Sequence, residues 1–119
     1  NRLYGLLLHQ PQQLLTADGR ALFAALTALK HENKVEKLGV SIYDPAELDA
    51  LCPAYQFDLV QAPFNVFDRR IAASGWLRRL HDAGTEVHVR SAFLQGLLLL
   101  KPERENKAAT VSPMCAMEE

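Results

Sequence analysis

Four polar side chains stand where apolar stretches of this sequence run out: His9 after Leu6-Leu7-Leu8, Ser41 after Leu38-Gly39-Val40, Gln61 after Leu59-Val60, and Arg90 after Val87-His88-Val89. Their types suit ligand chemistry. An imidazole exchanges a proton near neutral pH, and a guanidinium is a planar, permanently charged fork. An amide offers two donors and two acceptor lone pairs, so a glutamine at the end of a buried strand is costly unless those groups find partners. Gathered at one rim, such groups can hold and polarise a polar small molecule. Thiol and metal chemistry have no comparable support, because Cys52 and Cys115 form neither a CxxC nor a metal-ligand spacing.

The elements that must position these groups follow from local pattern. Leu3 to His9 reads as a strand, and Gln10-Pro11-Gln12-Gln13 as a polar exit loop. Asp18 can cap a helix with Leu22, Leu26 and Leu29 on one face, ending near Asn33, a residue that tolerates the left-handed conformation. A strand from Lys37 to Ser41 leads into Asp44-Pro45-Ala46-Glu47, which combines a cap side chain, proline at the first helical position and a carboxylate three residues after the cap. That helix is short because Pro53 must stop it. The run from Asp58, with Gln61 as its last strand residue and Pro63 closing it, is a buried parallel strand. A helix over Arg70 to Ala83, with Ile71, Leu77 and Leu80 on one face, closes at Gly84, and Glu86 to Arg90 forms a fourth strand. Strands and helices alternate at the spacing of βαβ units.

Side-chain alternation assigns the faces. Residues sharing a side with the strand-end polar groups are Leu7, Gly39, Leu59 and His88, a mixed set; the opposite side carries Leu6, Leu8, Leu38, Val40, Val60, Val87 and Val89, all aliphatic. One greasy face under helices and one mixed face, with polarity collecting at the carboxyl ends, suits the inside of a (β/α) barrel. A doubly wound open sheet buries both faces under helices and should be apolar on both. No Gly-x-Gly-x-x-Gly follows any strand, which also counts against a dinucleotide-binding open sheet. The expected fold class is therefore α/β, a partial (β/α)8 TIM barrel of about four βα units with parallel strands.

Composition narrows the function. The 119 residues are 49% hydrophobic and 23% charged with a net charge of -1, which fits one soluble globular unit and gives no basic footprint for nucleic acid. The longest apolar runs are too short to span a bilayer, and two distant thiols make no disulfide framework, so a cytoplasmic setting is expected. Residues 1–100 are expected to form the folded unit and residues 101–119 a polar, disordered tail.

Leu8-His9, Leu38-Gly39-Val40-Ser41, Val60-Gln61 and the stretch Arg90-Ser91-Ala92-Phe93-Leu94-Gln95-Gly96-Leu97-Leu98 resemble successive motifs of the aldo/keto reductases, NAD(P)H-dependent enzymes on a (β/α)8 barrel. The resemblance covers about residues 3 to 100 and implies strands four to seven of eight, an internal fragment of a fold that usually takes about 250 residues. It implies that His9 is the active-site histidine beside the substrate carbonyl, and that Ser41 and Gln61 hydrogen-bond the nicotinamide carboxamide. Arg90 takes the place where an aromatic ring commonly stacks on the nicotinamide, and Ser91 and Phe93 match positions along the cofactor pyrophosphate. The family commonly has asparagine after the serine, and Ile42 stands there instead. The implied cofactor is NADP(H) or NAD(H), and the implied substrate a small-molecule aldehyde or ketone. The family's aspartate, proton-donating tyrosine and lysine precede the histidine strand and have no counterpart here; Tyr4, Tyr43 and Tyr55 have no lysine placed by sequence to activate them.

Each residue also has a plainer explanation. His9 could bond the backbone at a strand end, Ser41 could start the Asp44 turn, Gln61 could bridge strands, and Arg90 could pair with Glu86. His88 suits a satisfied interior histidine, Trp76 helix-to-sheet packing, and Arg69, Arg70, Arg78 and Arg79 a charged outer face. Two functions remain: a piece of an NAD(P)H-linked carbonyl reductase, inactive alone, or a non-catalytic scaffold or truncated product of such a barrel. Four parallel strands with two open edges should also self-associate.

Overall fold

A computed structural model describes residues 1–100; the expected tail, residues 101–119, lies outside the described residues. Strands β1 (Leu3–Leu8), β2 (Val35–Ser41), β3 (Leu59–Pro63) and β4 (Glu86–Arg90) form one parallel sheet in sequence order. Between them lie a 3₁₀ turn (Pro11–Leu15) with α1 (Gly19–His31), then α2 (Ala46–Leu51), then α3 (Arg70–Ala73) with α4 (Trp76–Asp82). A second 3₁₀ segment, Leu94–Leu99, follows β4. Alternation of parallel strands and helices makes this an α/β fold, and four strands paired in sequence order are consistent with part of a (β/α)8 barrel.

The register builds the two faces expected from alternation. Leu8, Val40, Val60 and Val87 are paired in one row across the sheet, and Ser41, Gln61 and His88 in the next. The first row faces the core, where Val40, Ile42, Val60 and Ala62 pack against Leu48, Leu51, Ile71, Trp76 and Leu80. Burying a side chain of this size contributes about 1.5–3 kcal/mol. The aliphatic face is not uniformly covered, however: Val89, at the outer end of β4, is 52% exposed.

The opposite face curls inward. The Tyr4 hydroxyl on β1 reaches Glu86 on β4 at 2.7 Å, although three strand spacings of a flat sheet come to about 14 Å. Lys37 on β2 also pairs with Glu86, crossing β3. At the closest approach on this face, a Cβ on Gly39 would lie 2.0 Å from the Leu59 carbonyl oxygen, so no larger residue fits there without moving β3.

Several boundaries differ from expectation for local reasons. β1 stops at Leu8, leaving His9 just beyond it, and β2 begins two residues early at Val35, which is buried. β3 runs past Gln61 to Pro63: Ile42 donates its amide to the Gln61 carbonyl and Phe64 donates to the Arg90 carbonyl, so Pro63 presents its missing N–H on the side where β2 has already ended. The Gln10–Gln13 exit loop is largely a 3₁₀ turn that buries Pro11 and Leu14. Asp18 precedes α1 as expected, but its backbone carbonyl, not its side chain, accepts the first helical bond from Leu22. The single helix expected over Arg70 to Ala83 is two helices, because Gly75 takes a left-handed φ of 81° between them. Glu47 and Asp44 make the expected capping contacts: Glu47 accepts from the Asp44 amide at 3.0 Å and Asp44 from the Ala46 amide at 2.8 Å.

At the foot of β3, Asp58 accepts from the Leu38 amide at 2.9 Å and from Lys30 at 2.6 Å. Partial burial pushes its carboxyl up, but the Leu38 N–H and the Lys30 and Lys37 charges outweigh this and hold it below its ordinary value. A carboxylate depressed in the folded state adds stability above its unfolded pKa of about 3.9, and that stability is lost as pH falls through the folded value. Asp58→Asn should therefore flatten the loss of stability below about pH 4, read as urea midpoints over a pH series. An unchanged acid slope in the variant would refute this role.

Candidate functional site

The rim at the carboxyl ends of the strands is assembled from β2 and β3 outward. Ser41 and Gln61 are register partners on the curled face, and the Ser41 hydroxyl donates to Gln61 Oε1 at 3.0 Å. Ser41 is fully buried, whereas Gln61 is half-buried. The bond leaves the Gln61 amide nitrogen as a donor without a protein partner among the described residues. The structure thus shows Ser41 bonding Gln61 rather than starting the Asp44 turn, and shows Gln61 bridging two strands.

Arg90 joins this pair through the backbone. Its Nη2 donates to the carbonyl of Ile42, the residue after Ser41, at 3.0 Å. Its guanidinium lies over the Tyr43 ring, 4.3 Å from the centroid. Arg90 does not pair with Glu86; that carboxylate is taken by Lys37 and Tyr4, whose bonds hold it below its ordinary value and hold Lys37 above its own. Among the described residues Arg90 makes no ion pair, and its Nε is buried without a hydrogen-bond partner. His9, exposed, also neighbours Tyr43, with ring centroids 6.3 Å apart in an edge-on arrangement. His9, Ser41, Gln61 and Arg90 therefore collect at one end of the sheet, linked through Ile42 and Tyr43.

Two residues that sequence patterns passed over hold the loops carrying this rim. Arg70 is more than part of a charged outer face. It grips both oxygens of Asp68 at 3.0 and 2.9 Å, Asp44 at 2.7 Å and the Tyr43 carbonyl at 3.1 Å, tying the loop after β2 to the loop after β3. The Arg70 guanidinium keeps the Asp68 carboxyl below its ordinary value. Asn65 is buried; its Oδ1 accepts from the Phe67 and Asp68 amides at 2.8 and 2.9 Å, and its Nδ2 donates to the Ser91 carbonyl at 3.2 Å. An Asx-type turn was legible in principle at Asn65-Val66-Phe67-Asp68, but the reach of its side chain to Ser91 was not.

The remaining expected residues are spread more widely. Ser91, exposed with a left-handed φ of 57°, follows β4 and enters the network through its carbonyl. Phe93 stands 60% exposed on the far side of that turn. Tyr55 donates to the Leu14 carbonyl in the helical layer, and Tyr4 is at the foot, so Tyr43 alone of the three tyrosines is at the rim. His88 is exposed on the curled face, 3.4 Å from Glu86. Trp76 packs in the core and donates to Asp49 at 3.1 Å, with Arg79 stacked on its ring. The Cys52 thiol is pushed up by partial burial. Among the described residues there is no cluster of metal ligands and no helix long and apolar enough to cross a membrane.

With this geometry established, comparison with protein families is decisive. The model of the aldo/keto reductase family matches residues 5–115. The chain belongs to the aldo/keto reductase family. The match takes in most of β1 and all of β2, β3 and β4, and runs past residue 100 into the segment that composition sets apart as a tail. No curated protein matches the chain. Aldo/keto reductases are oxidoreductases that generally use NAD(P)H and act on small carbonyl compounds, and four parallel βα units fit their barrel.

Asn65→Ala should leave the Phe67 and Asp68 amides without their side-chain acceptor, at a cost of about 0.5–1.5 kcal/mol for each bond. Hydrogen exchange should show those two amides deprotected while the β2 and β3 amides keep their protection. Unchanged protection at Phe67 and Asp68 would show that Asn65 does not hold the loop.

Proposed function

We propose that this chain supplies part of the cofactor and substrate site of an NAD(P)H-linked carbonyl reductase, in which hydride passes to an aldehyde or ketone. The observation that carries this reading is the Ser41–Gln61 bond, which leaves the two N–H donors of the half-buried Gln61 amide at the rim and both lone pairs of the buried Ser41 oxygen behind them. A carboxamide presents one acceptor oxygen and one donor nitrogen, so the donor set fits the nicotinamide amide. When bound, that cofactor supplies the hydride. Ser41 and Gln61 would fix which ring face is offered, since hydride transfer needs the reacting atoms held in near-attack geometry. His9 would lie beside the substrate carbonyl and orient or polarise it. Arg90 would lie against the nicotinamide ring, and Ser91 and Phe93 along the pyrophosphate. The site lies within residues 1–100, and the free Cys52 and the composition suit a cytoplasmic protein.

Turnover by this chain alone is not part of the proposal. The lysines among the described residues lie away from the rim: Lys30 pairs with Asp58, Lys34 with Glu32 and Lys37 with Glu86. None is paired with Tyr43. The chain incubated with NADPH and a panel of aldehydes and ketones should give no turnover above a His9→Ala control; clear turnover over that control would overturn this. The edges of β1 and β4 are also unpaired among the described residues and support self-association through strand edges. Light scattering should show species larger than a monomer, and a clean monomer would count against it.

A further inference from the structure

We infer that Arg90 makes this rim discriminate between redox states of its ligand, taking the reduced, uncharged nicotinamide ring in preference to the oxidised, cationic one. The inference rests on the nicotinamide reading of Ser41 and Gln61 and adds to it a sign of charge. A guanidinium stays protonated throughout the working pH range. Here it is half-buried, makes no ion pair among the described residues, and keeps its Nε buried without an acceptor. The carboxylates on the two adjoining loops and in the first turn of α2 are committed elsewhere: Asp44 and Asp68 to Arg70, and Glu47 to the Tyr43 and Asp44 amides. What Arg90 does contact is neutral, the Ile42 carbonyl and the Tyr43 ring.

The Ile42 contact sets where this charge acts. Ile42 follows Ser41 in the chain, and its amide donates to the Gln61 carbonyl at 2.9 Å, so the guanidinium is anchored to the same strand ends that present the amide-binding pair. A neutral dihydropyridine ring is an attractive surface for a cation. A pyridinium ring brings a second positive charge to a partly desolvated one, and among the described residues no carboxylate pairs with Arg90 to offset the repulsion. The phosphate and ribose are the same in both redox forms, so the ring charge alone separates them.

The test titrates the full 119-residue chain with reduced and with oxidised nicotinamide mononucleotide, following the amide NMR signals of Ser41, Gln61 and Arg90. The reduced form should bind about tenfold more tightly, the scale of two unit charges about 3–4 Å apart and screened nearly as in water. Arg90→Lys should keep most of that preference, and Arg90→Met should bring the two affinities to within about twofold of each other. Equal affinities in the native chain, or an unchanged ratio in Arg90→Met when Arg90→Lys shows that the site tolerates substitution, would overturn the inference. If both forms bind equally, and both are weakened by Gln61→Leu, the nicotinamide reading stands and only the redox preference falls. If neither form shifts those amides, the nicotinamide reading falls and the inference with it.

Discussion

The pairing of β2 with β3, Gly39 opposite Leu59 and Ser41 opposite Gln61, fixes which side chains the middle of the sheet presents at the rim. Side chains alternate along a strand, so a slip of one residue would turn Ser41 into the helical layer and bring Ile42 to the open face. Two features resist that slip. Val40, Ile42, Val60 and Ala62 are buried beneath the helices, and exposing them would forfeit most of the core. Gly39 lets the strands approach at a point where any side chain would strike the Leu59 carbonyl. The hydrogen bond between Ser41 and Gln61 is a consequence of this packing.

Around that fixed pair the loops are held by polar contacts of a different kind. Arg70 links the turns after β2 and β3 through Asp44, Asp68 and the Tyr43 carbonyl, and Asn65 links the turn after β3 to the exit of β4. Arg70 lies at the surface, where ion pairs contribute little to stability. Its effect is to restrict where Tyr43 can go, and Tyr43 is the shelf on which Arg90 rests.

Periodicity in the sequence was enough to show the strands, their parallel order and the greasy face, because these follow from spacing within single segments. Val60 and Val40 could be assigned inward from their neighbours alone. Local chemistry also showed the Asp44-Pro45-Ala46-Glu47 helix start, which depends on groups three residues apart. What could not be read were contacts between segments distant in sequence: Arg90 choosing the Ile42 carbonyl and Tyr43 over Glu86, and Asn65 reaching Ser91. The break at Gly75 was hidden because Ile71, Leu77 and Leu80 keep one apolar side across it. At the candidate site, residue types were legible, and Arg90's lack of a counter-ion among the described residues was not.

The bonds from Tyr4 and Lys37 to Glu86 lie toward the amino-terminal end of the strands, the end opposite the rim, and they join the first, second and fourth strands. A four-stranded sheet strapped in this way has its arc set as the chain folds. The loss of freedom needed to bring the polar strand ends toward one another is then met by folding instead of being subtracted from the binding free energy of whatever the rim receives, which is the physical meaning of pre-organisation.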